Sequence, residues 1–346
     1  MIDLVLIPAA VLVASIGLLR LVERFARERA ILDIPNVRSS HSTPTPRGGG
    51  VAIVLASLGG WVAAALTDGT FSVAGAAPAC AALLIAWVGW RDDVKSLSVR
   101  VRFAAQSTAA IAVIVALGAM RALDVPFVGI VHLGWIGSAL TFIWIVGLTN
   151  AYNFMDGIDG IAGAQGVACS LTWAVIATMA GDRVLSVFSV SAALACGVFL
   201  TRNWAPARIF MGDVGSAFLG FAFATMPLVA LRDGAELPPE RLPWIAVAAV
   251  WPFVFDASFT VIRRARRSER VTEAHRSHLY QRLVACGYSH RRVSALYAAW
   301  AAVCGCVAIA WTRVAPSMYW VLLSVIGLSA VFVWRLVVGA ETRRTA

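Results

Sequence analysis

The feature that most constrains this chain is a series of long apolar runs, which charged, Pro-rich or Gly-rich segments separate. A membrane-spanning helix needs about 20 predominantly apolar residues, because the hydrocarbon core of a bilayer is about 30 Å thick. We expect eleven spans, at 2–20, 49–67, 73–90, 101–120, 135–152, 160–180, 184–201, 215–231, 243–262, 292–312 and 317–337. The predicted fold class is an all-α, polytopic membrane helix bundle of about eleven transmembrane helices.

Composition supports this prediction. Hydrophobic residues make up 60 % of the 346 and charged residues only 14 %, whereas soluble domains are about half apolar and a quarter charged. The first run lacks a basic start and a small-residue cleavage site, so we expect a retained span rather than a signal peptide. Five of the six cysteines lie inside apolar runs and no Cys-x-x-Cys pair occurs, which disfavours a disulfide framework. We expect one integral membrane domain over residues 1–346.

Orientation follows from the distribution of basic residues, since cytoplasmic loops carry an excess of Lys and Arg. With eleven spans, the odd-numbered loops and the C-terminus hold 24 of the 29 basic residues. The other side keeps five: Arg121, Arg183, Arg232, Arg241 and Arg313. We therefore predict a cytoplasmic C-terminus and an N-terminus outside. The net charge of +10 is then a signal of membrane topology, and no nucleic-acid partner is expected.

The first polar motif is Asp92-Asp93, which follows the third predicted span and is flanked by Arg91 and Lys95. Two adjacent carboxylates suit a general base or a neighbour of magnesium, and crowding raises the pKa of one of them. The competing interpretation is a solvated charged loop. For this motif alone we favour that simpler interpretation.

The second motif is NAYNFMDGIDGIAG, directly after an apolar run. It places Asn150, Asn153, Asp156 and Asp159 at steps of three, so that neighbouring pairs share a helix face but all four cannot. A polar helix cap with a small-residue packing seam explains the glycines. It does not explain four polar residues at membrane depth, which are functional candidates.

The third motif is NWAPARIFMGDVGS, in which Asp213 lies just before the eighth predicted span. A helix N-terminus binds anions through its free amides, and a carboxylate there would hold Mg²⁺ against a diphosphate. A plain N-cap Asp with turn glycines explains the same residues equally well.

The longest basic stretch forms the late cytoplasmic loop, which we predict to be a substrate-recognition loop over residues 263–292. Most of its arginines are explained as positive-inside anchors. His275 and His278 are spaced i, i+3 around Arg276 and would grip phosphate or tune a proton. A zinc protease site is disfavoured, because no third ligand or HExxH glutamate accompanies the pair.

The first predicted cytoplasmic loop, DIPNVRSSHSTPTPRGGG, contains His41 and Arg47, which we expect to reach the site, although a stiff connector explains its prolines. All five segments fall on the face that charge marks as cytoplasmic. The sequence therefore predicts an active-site cleft on that face.

From about Asp33 to Leu283, these motifs and their order resemble the polyprenyl-phosphate N-acetylhexosamine-1-phosphate transferases. The most specific parts are NAYNFMDGIDG and FMGDVGS. The resemblance implies a bundle of ten or eleven helices in the bacterial inner membrane. It implies transfer of a sugar-1-phosphate from a UDP-N-acetylhexosamine to undecaprenyl phosphate, with release of UMP, as the first membrane step of O-antigen or other surface-polysaccharide synthesis.

The resemblance also implies residue roles. Asp213 with Asn153 would hold Mg²⁺, for which Mn²⁺ is an alternative, while Asp92 or Asp93 would activate the lipid phosphate. A second set would bind nucleotide and sugar, with Phe210 stacking on uracil: Asn150, Asp156, Asp159, Phe210, His275, Arg276 and His278. A third set would bind phosphate: His41, Lys95 and Arg102. Membrane lipid and a second copy of the chain are further expected partners.

Two departures from the family pattern bear on the branch. The Asp-Asp motif continues Val94-Lys95 without a third acidic residue, and the late loop has His-Arg-Ser-His rather than three consecutive histidines. The chain thus resembles the branch that initiates O-antigen more than the peptidoglycan-lipid branch, which stays an alternative. A CDP-alcohol phosphotransferase is disfavoured, because Ile158 follows Asp156-Gly157 where an Ala-Arg pair would be needed. A transporter is disfavoured, because no internal repeat occurs.

Overall fold

A computed structural model describes residues 3–34, 43–232, 237–270 and 275–345 of the protein. The helices of the first half are α1 Asp3–Glu28, α2 Gly50–Thr67, α3 Val73–Val94, α4 Val99–Leu117, α5 Gly134–Met155 and α6 Ile161–Met179. Those of the second half are α7 Arg183–Asn203, α8 Asp213–Arg232, α9 Leu242–Ala249, α10 Trp251–Arg266, α11 Leu279–Ala285, α12 His290–Trp311 and α13 Tyr319–Thr345. The strands are β1 Leu32–Asp33, β2 Thr45–Pro46, β3 Ala122–Val125 and β4 Gly129–His132.

The all-α, multi-pass membrane class is confirmed. Nine helices of the described ranges are long and apolar enough to cross a membrane, or ten if the α9–α10 pair is one span. Each of the eleven expected spans overlaps a helix or this pair. The eleventh expected span, at 73–90, overlaps α3, a 22-residue helix that is not in that set.

The α9–α10 pair bends by 75° at Val250. Pro252 lies in the first turn of α10, where its missing N–H is tolerated because that turn has no acceptor within the helix. The expected single span at 243–262 is therefore divided between two helices, and α10 leads into the late loop.

The bundle is organised around α8, which is almost completely buried, whereas α1 and α4 expose most of their surface. Large apolar side chains point outward from the peripheral helices, among them Val115, Trp135 and Leu328. Because water would oppose this exposure and lipid does not, these surfaces match the hydrocarbon of a bilayer. The glycines of α2 and α8 allow a close crossing, since a Cβ on Gly50 would lie 2.3 Å from the Cα of Gly215.

The two ends of the bundle differ in chemistry. At one end, the β3–β4 hairpin docks on the starts of α9 and α13, where Tyr319 donates to the Asp124 carboxylate at 2.5 Å and Trp244 to the Asp124 carbonyl at 2.7 Å. At the other end, the connections that follow α1, α3, α5, α7 and α10 meet. There the antiparallel β1–β2 pair brings Arg47 within 3.2 Å of Asp33.

Candidate functional site

Asp93 joins the end of α3 to the beginning of α8. Its two carboxylate oxygens accept hydrogen bonds from the backbone amides of Asp213 and Val214, at 2.9 and 3.1 Å. Gly212 makes this approach possible, because its φ is +75° and a Cβ there would lie 2.4 Å from an Asp93 oxygen. Asp93 therefore caps α8, and Asp213 is the first residue of that helix rather than its cap, which corrects the N-cap interpretation of Asp213.

Asp92, its neighbour, fixes the turn between α3 and α4. One carboxylate oxygen accepts from the Leu97 amide at 2.6 Å, and the other from the Arg102 guanidinium at 2.9 Å. Arg102 also lies 3.7 Å from the Asp213 carboxylate. The predicted phosphate ligand Arg102 and three of the predicted aspartates are thus brought together.

Arg47 reaches the same cluster from the segment before α2, with its Nε 3.7 Å from Asp93. The backbone places it there. Phe210 N–H donates to Pro46 O at 2.8 Å, Gly49 N–H donates to Phe210 O at 2.9 Å, and Gly50 N–H donates to Met211 O at 2.9 Å. Phe210, the predicted uracil-stacking residue, therefore lies directly beside the segment that carries Arg47.

Asn153 and Asp156 come to this cluster from the end of α5. Asn153 Oδ1 accepts from Ser216 Oγ at 2.7 Å, which places the amide beside the first turn of α8, as the predicted pairing with Asp213 requires. Burial and the Asp213 charge raise the pKa of the Asp156 carboxyl to about 7, against a lowering effect of Arg47. Asp156 thus lies in the field of the same cluster.

Asp159 contacts a separate group of residues. Its carboxylate accepts from the Ala207 amide at 3.1 Å and lies 3.4 Å from His290 Nδ1, while Ser294 donates to its carbonyl at 2.7 Å. It connects the α5–α6 turn to the 204–208 segment and to α12.

Asn150 lies between helices. Its amide donates to Gln106 Oε1 at 2.6 Å and to Val146 O at 2.8 Å. This pairing joins α4 to α5 and uses both hydrogens of the Asn150 amide. The structure does not bring Asn150 into contact with the aspartates, and its predicted role in binding nucleotide stays a prediction.

His278 belongs to a buried network at the start of α11. Its Nδ1 lies 3.2 Å from Asp256, which also accepts from the amides of Leu279 and Tyr280 at 2.8 and 3.2 Å and from Tyr297 Oη at 2.6 Å. His278 is 4 % exposed, so its contacts are with protein.

Asp256 was missed by the sequence analysis. The signal was available, since a lone carboxylate inside an apolar span is a functional candidate. The network extends toward the aspartates, because Tyr280 Oη donates to Phe154 O at 3.1 Å, two residues before Asp156.

The remaining predicted residues lie in or near connections. His275 hydrogen-bonds Ser277 at 3.0 Å, and burial, with the nearby His278, lowers the pKa of His275 to about 4. Arg276 lies in the coil before α11, and Lys95 ends α3 with an exposed side chain. His41 lies outside the described residues, as do residues 271–274 of the predicted 263–292 loop. The described part of that loop includes the end of α10 and all of α11.

The described residues contain no group of three or more His, Cys, Asp or Glu side chains in metal-binding geometry. Mg²⁺ does not need one, since it is commonly held by one or two carboxylates together with substrate phosphates and water. Among the residues that the structure describes, Asp92, Asp93, Asp156 and Asp213 interact with two arginines, Arg47 and Arg102. Hard oxygen donors and excess negative charge fit a divalent cation.

The fold and this cluster define a class of protein: a multi-pass membrane protein with an acidic, arginine-paired site at one end of its helix bundle. Residues 76–231 match the family model described as glycosyl transferase family 4. A probable undecaprenyl-phosphate N-acetylglucosaminyl 1-phosphate transferase of Bacillus subtilis is 36 % identical over 273 residues, covering 78 % of this chain and 74 % of the relative. The chain belongs to the polyprenyl-phosphate N-acetylhexosamine-1-phosphate transferase family, as the motifs predict.

Two further relatives separate the branches of the family. The decaprenyl-phosphate N-acetylglucosaminephosphotransferase of Mycobacterium tuberculosis (strain H37Rv) is 33 % identical over 296 residues, 78 % of this chain and 72 % of the relative. A phospho-N-acetylmuramoyl-pentapeptide-transferase of Latilactobacillus sakei is 35 % identical over only 116 residues, about a third of each chain (34 and 36 %). The match to this peptidoglycan-branch relative therefore covers a much shorter segment than the matches to the two N-acetylglucosamine transferases.

Proposed function

We propose that the protein transfers N-acetylhexosamine-1-phosphate from a UDP-sugar to undecaprenyl phosphate, releasing UMP. The observation that carries this proposal is the convergence of Asp92, Asp93 and Asp213 with Arg47 and Arg102 at one end of the bundle. A lipid phosphate held at the membrane surface and a water-soluble diphosphate can both reach such a site. The two arginines offer planar, permanently charged donors that suit phosphate.

The chemistry asks the protein mainly for positioning and charge neutralisation. An oxygen of the lipid phosphate attacks the sugar-bearing phosphorus, and the bond to the UMP oxygen breaks. A phosphate monoester has a second pKa near 6, so the acceptor is largely dianionic at pH 7 and needs little help from a base. Asp92 then orients the acceptor through Arg102, and Asp93 holds the α8 amides in place. A two-step route through an aspartyl phosphate is the alternative.

We infer that Mg²⁺ is the cofactor, with Asp213 and Asn153 as its protein ligands. When bound, it would neutralise the developing charge on the diphosphate. Two features support these ligands: Asn153 accepts from Ser216 in the first turn of α8, the helix that Asp213 begins, and Asp213 keeps 27 % of its side chain exposed. Phe210, three residues before Asp213 in the sequence, would stack on the uracil.

We propose UDP-N-acetylglucosamine as the donor, because the relatives that match most of this chain are described as N-acetylglucosaminyl transferases. The excess of basic residues in the connections at the aspartate end supports a cytoplasmic position for the site. The product would then be the first lipid intermediate of O-antigen or another surface polysaccharide.

The test uses the full chain in nanodiscs with radiolabelled UDP-N-acetylglucosamine and undecaprenyl phosphate. We expect release of UMP and labelling of the lipid, both of which require the lipid and Mg²⁺ and are restored by Mn²⁺ after chelation. UDP-N-acetylmuramoyl-pentapeptide in place of the donor tests the peptidoglycan alternative, and we expect no transfer. Release of UMP without labelled lipid, or transfer that persists in excess chelator, would contradict the proposal.

A further inference from the structure

A groove of about 770 Å³ runs between α1 and α7 on the outside of the bundle. This volume falls within the range of about 300–1,000 Å³ that is typical of ligand sites. Its upper wall is apolar, formed by Leu12, Ile16 and Leu19 of α1 and by Val198 of α7. Leu12 and Ile16 each keep 38 % of their surface exposed, so the groove opens sideways toward lipid. From Leu12 to Leu19 the wall is about 10 Å long at 1.5 Å per residue.

The lower end of the groove is strongly basic. Arg20 from α1, Arg202 from the last turn of α7 and Arg208 from the following segment line it together. The described residues offer these three guanidinium groups one acidic neighbour, Glu23, which lies 3.8 Å from Arg202 and is bound more closely by Arg27 at 3.0 Å. The groove therefore keeps a net positive charge that its own residues do not neutralise.

Trp204 lies at the same level and also lines the groove. Tryptophan is enriched at membrane–water interfaces, where one side of the ring is apolar and the N–H is wet. Apolar side chains therefore line one part of the groove, and Trp204 with the three arginines lines the other. This division matches the acyl chain and the phosphate region of a lipid lying parallel to the helices.

We propose that this groove binds one anionic diacyl phospholipid of the surrounding bilayer, with its phosphate held by Arg20, Arg202 and Arg208. Basic loops are attracted to anionic membranes in general, and this non-specific attraction does not require a cavity. Here, two helices and a loop from distant parts of the sequence bring their arginines into one concave site, where guanidinium groups bind phosphate oxygens in pairs.

The bound lipid is distinct from the acceptor substrate. Within the described ranges, the arginines that contact the site aspartates are Arg47 and Arg102, and no ion pair joins the groove arginines to those aspartates. The segment that carries Trp204 and Arg208 contacts the α5–α6 turn, since the Ala207 amide donates to the Asp159 carboxylate at 3.1 Å. A lipid on Arg208 would therefore hold the 204–208 segment in place without reacting.

Native mass spectrometry of the delipidated full chain in detergent tests the proposal. Phosphatidylglycerol and phosphatidylcholine with identical acyl chains are titrated separately, and the dissociation constant of the first bound lipid is measured. We expect wild type to prefer phosphatidylglycerol and the triple variant R20Q/R202Q/R208Q to lose affinity for it on the order of a hundredfold. The matched control R24Q/R29Q/R335Q removes the same charge from exposed positions outside the groove and should bind as wild type does.

Equal binding of the two lipids by wild type, or unchanged phosphatidylglycerol binding by the triple variant, would overturn the proposal. Equal loss in the control would do so too, because it would reduce the effect to net charge. If the triple variant does not fold, the single substitution Arg208→Gln, at an exposed residue, is used instead. We expect it to lower the affinity for phosphatidylglycerol at least severalfold.

A competition experiment with undecaprenyl phosphate shows whether the groove binds a bilayer phospholipid or the acceptor substrate. Simultaneous binding of both lipids supports a separate phospholipid site, whereas one-for-one displacement would show that the groove is the acceptor site and would overturn the assignment. None of these measurements requires turnover. Their outcome is therefore independent of whether the proposed transferase activity is found.

Discussion

Two buried aspartates of this protein perform the same structural task in different surroundings. Asp93 caps α8 by accepting from the Asp213 and Val214 amides, and Asp256 caps α11 by accepting from the Leu279 and Tyr280 amides. Both carboxylates are almost fully inaccessible, with side-chain exposures of 1 % and 0 %. A cap of this kind satisfies amides that a helix leaves unpaired.

The surroundings of the two caps distinguish the candidate functional site around Asp93 from the region around Asp256, whose contacts suit a structural role. Asp256 receives further hydrogen bonds from His278, Tyr297 and Thr260, and its charge is fully compensated by donors. Asp93 lies among other aspartates that share two arginines. Like charges at close range destabilise one another unless a cation intervenes. The Asp93 region therefore suits the binding of a cationic ligand, whereas the Asp256 region needs no ligand to balance it.

The largest expected effect is that of Asp213→Asn. The change keeps the shape of the side chain but removes the charge of a carboxylate that is more exposed than those of Asp92 and Asp93. We expect turnover to fall more than about a hundredfold, or about 2.7 kcal/mol in activation free energy. Asp68→Asn is the matched control, since Asp68 pairs with Arg183 at 3.2 Å at the opposite end. Near-wild-type turnover of Asp213→Asn would remove Asp213 from the proposed metal site.

Asp92→Asn tests the other half of the cluster. The neutral Asn amide cannot form an ion pair with Arg102, so the guanidinium loses the carboxylate that lies 2.9 Å away. We again expect a loss of more than about a hundredfold in turnover, roughly 2.7 kcal/mol. Single-turnover mixing without lipid distinguishes the routes, since a trapped sugar-phosphoryl enzyme would favour the two-step alternative.

Asp256→Asn is expected to act on stability. Its Oδ2 accepts from Tyr280 N–H and Tyr297 O–H, and an NH₂ group there would face two donors. Unsatisfied buried donors cost about 1–3 kcal/mol each, so the melting temperature should fall clearly. Tm and turnover are measured on the same variant. An unchanged Tm with a loss of turnover would show that the Asp256 network takes part in the reaction rather than in stability.

Gly157→Ala tests the contact between the two regions. A Cβ at Gly157 would lie 2.1 Å from Tyr280 Oη, whereas the next ring atom, Cζ, is 3.1 Å away. Overpacking of this kind costs about 1–3 kcal/mol. In a Tyr280→Phe background the clash is largely removed, so the loss in Tm should be smaller. Strictly additive effects in this double-mutant cycle would show that the two regions are independent.

His275→Gln should have the smallest effect. The pKa of His275 is lowered to about 4, so the ring is neutral at pH 7 and offers no charge to phosphate. Between pH 6.5 and 4 the unfolded chain binds the proton more tightly, so stability rises with pH across this window. We therefore expect unchanged turnover at pH 7 and a smaller fall in Tm from pH 7 to pH 5 than in wild type. A turnover loss at pH 7 would restore the predicted phosphate contact.

The sequence predicted most of the fold because lipid imposes a simple rule on composition and length. It also identified the aspartate cluster, since polar residues at membrane depth are conspicuous. What it could not supply was the pairing: Asp93 and Asp213 are 120 positions apart, and nothing in spacing says that one caps the helix of the other.

Two features lay beyond the reach of local sequence pattern. Asn150 and Asn153 are about 60° apart around α5, which continues to Met155, yet Asn150 pairs with Gln106 of α4 and Asn153 with Ser216 of α8. Asp256 stood alone in an apolar run, and its partners other than Thr260 come 22 to 41 positions later. In both cases side-chain direction and long-range contacts, rather than local pattern, decided the role.

The bonds between the Pro46–Gly50 segment and Phe210–Met211 have a consequence for biosynthesis. A chain made from its N-terminus delivers Arg47, Asp92 and Asp93 to the membrane long before the eighth helix exists. Until α8 is inserted, Asp93 has no amides to cap and Gly50 has no helix to cross. The site is therefore assembled late, and a nascent chain that stalls before residue 213 carries its acidic and basic residues without the helix that brings them together.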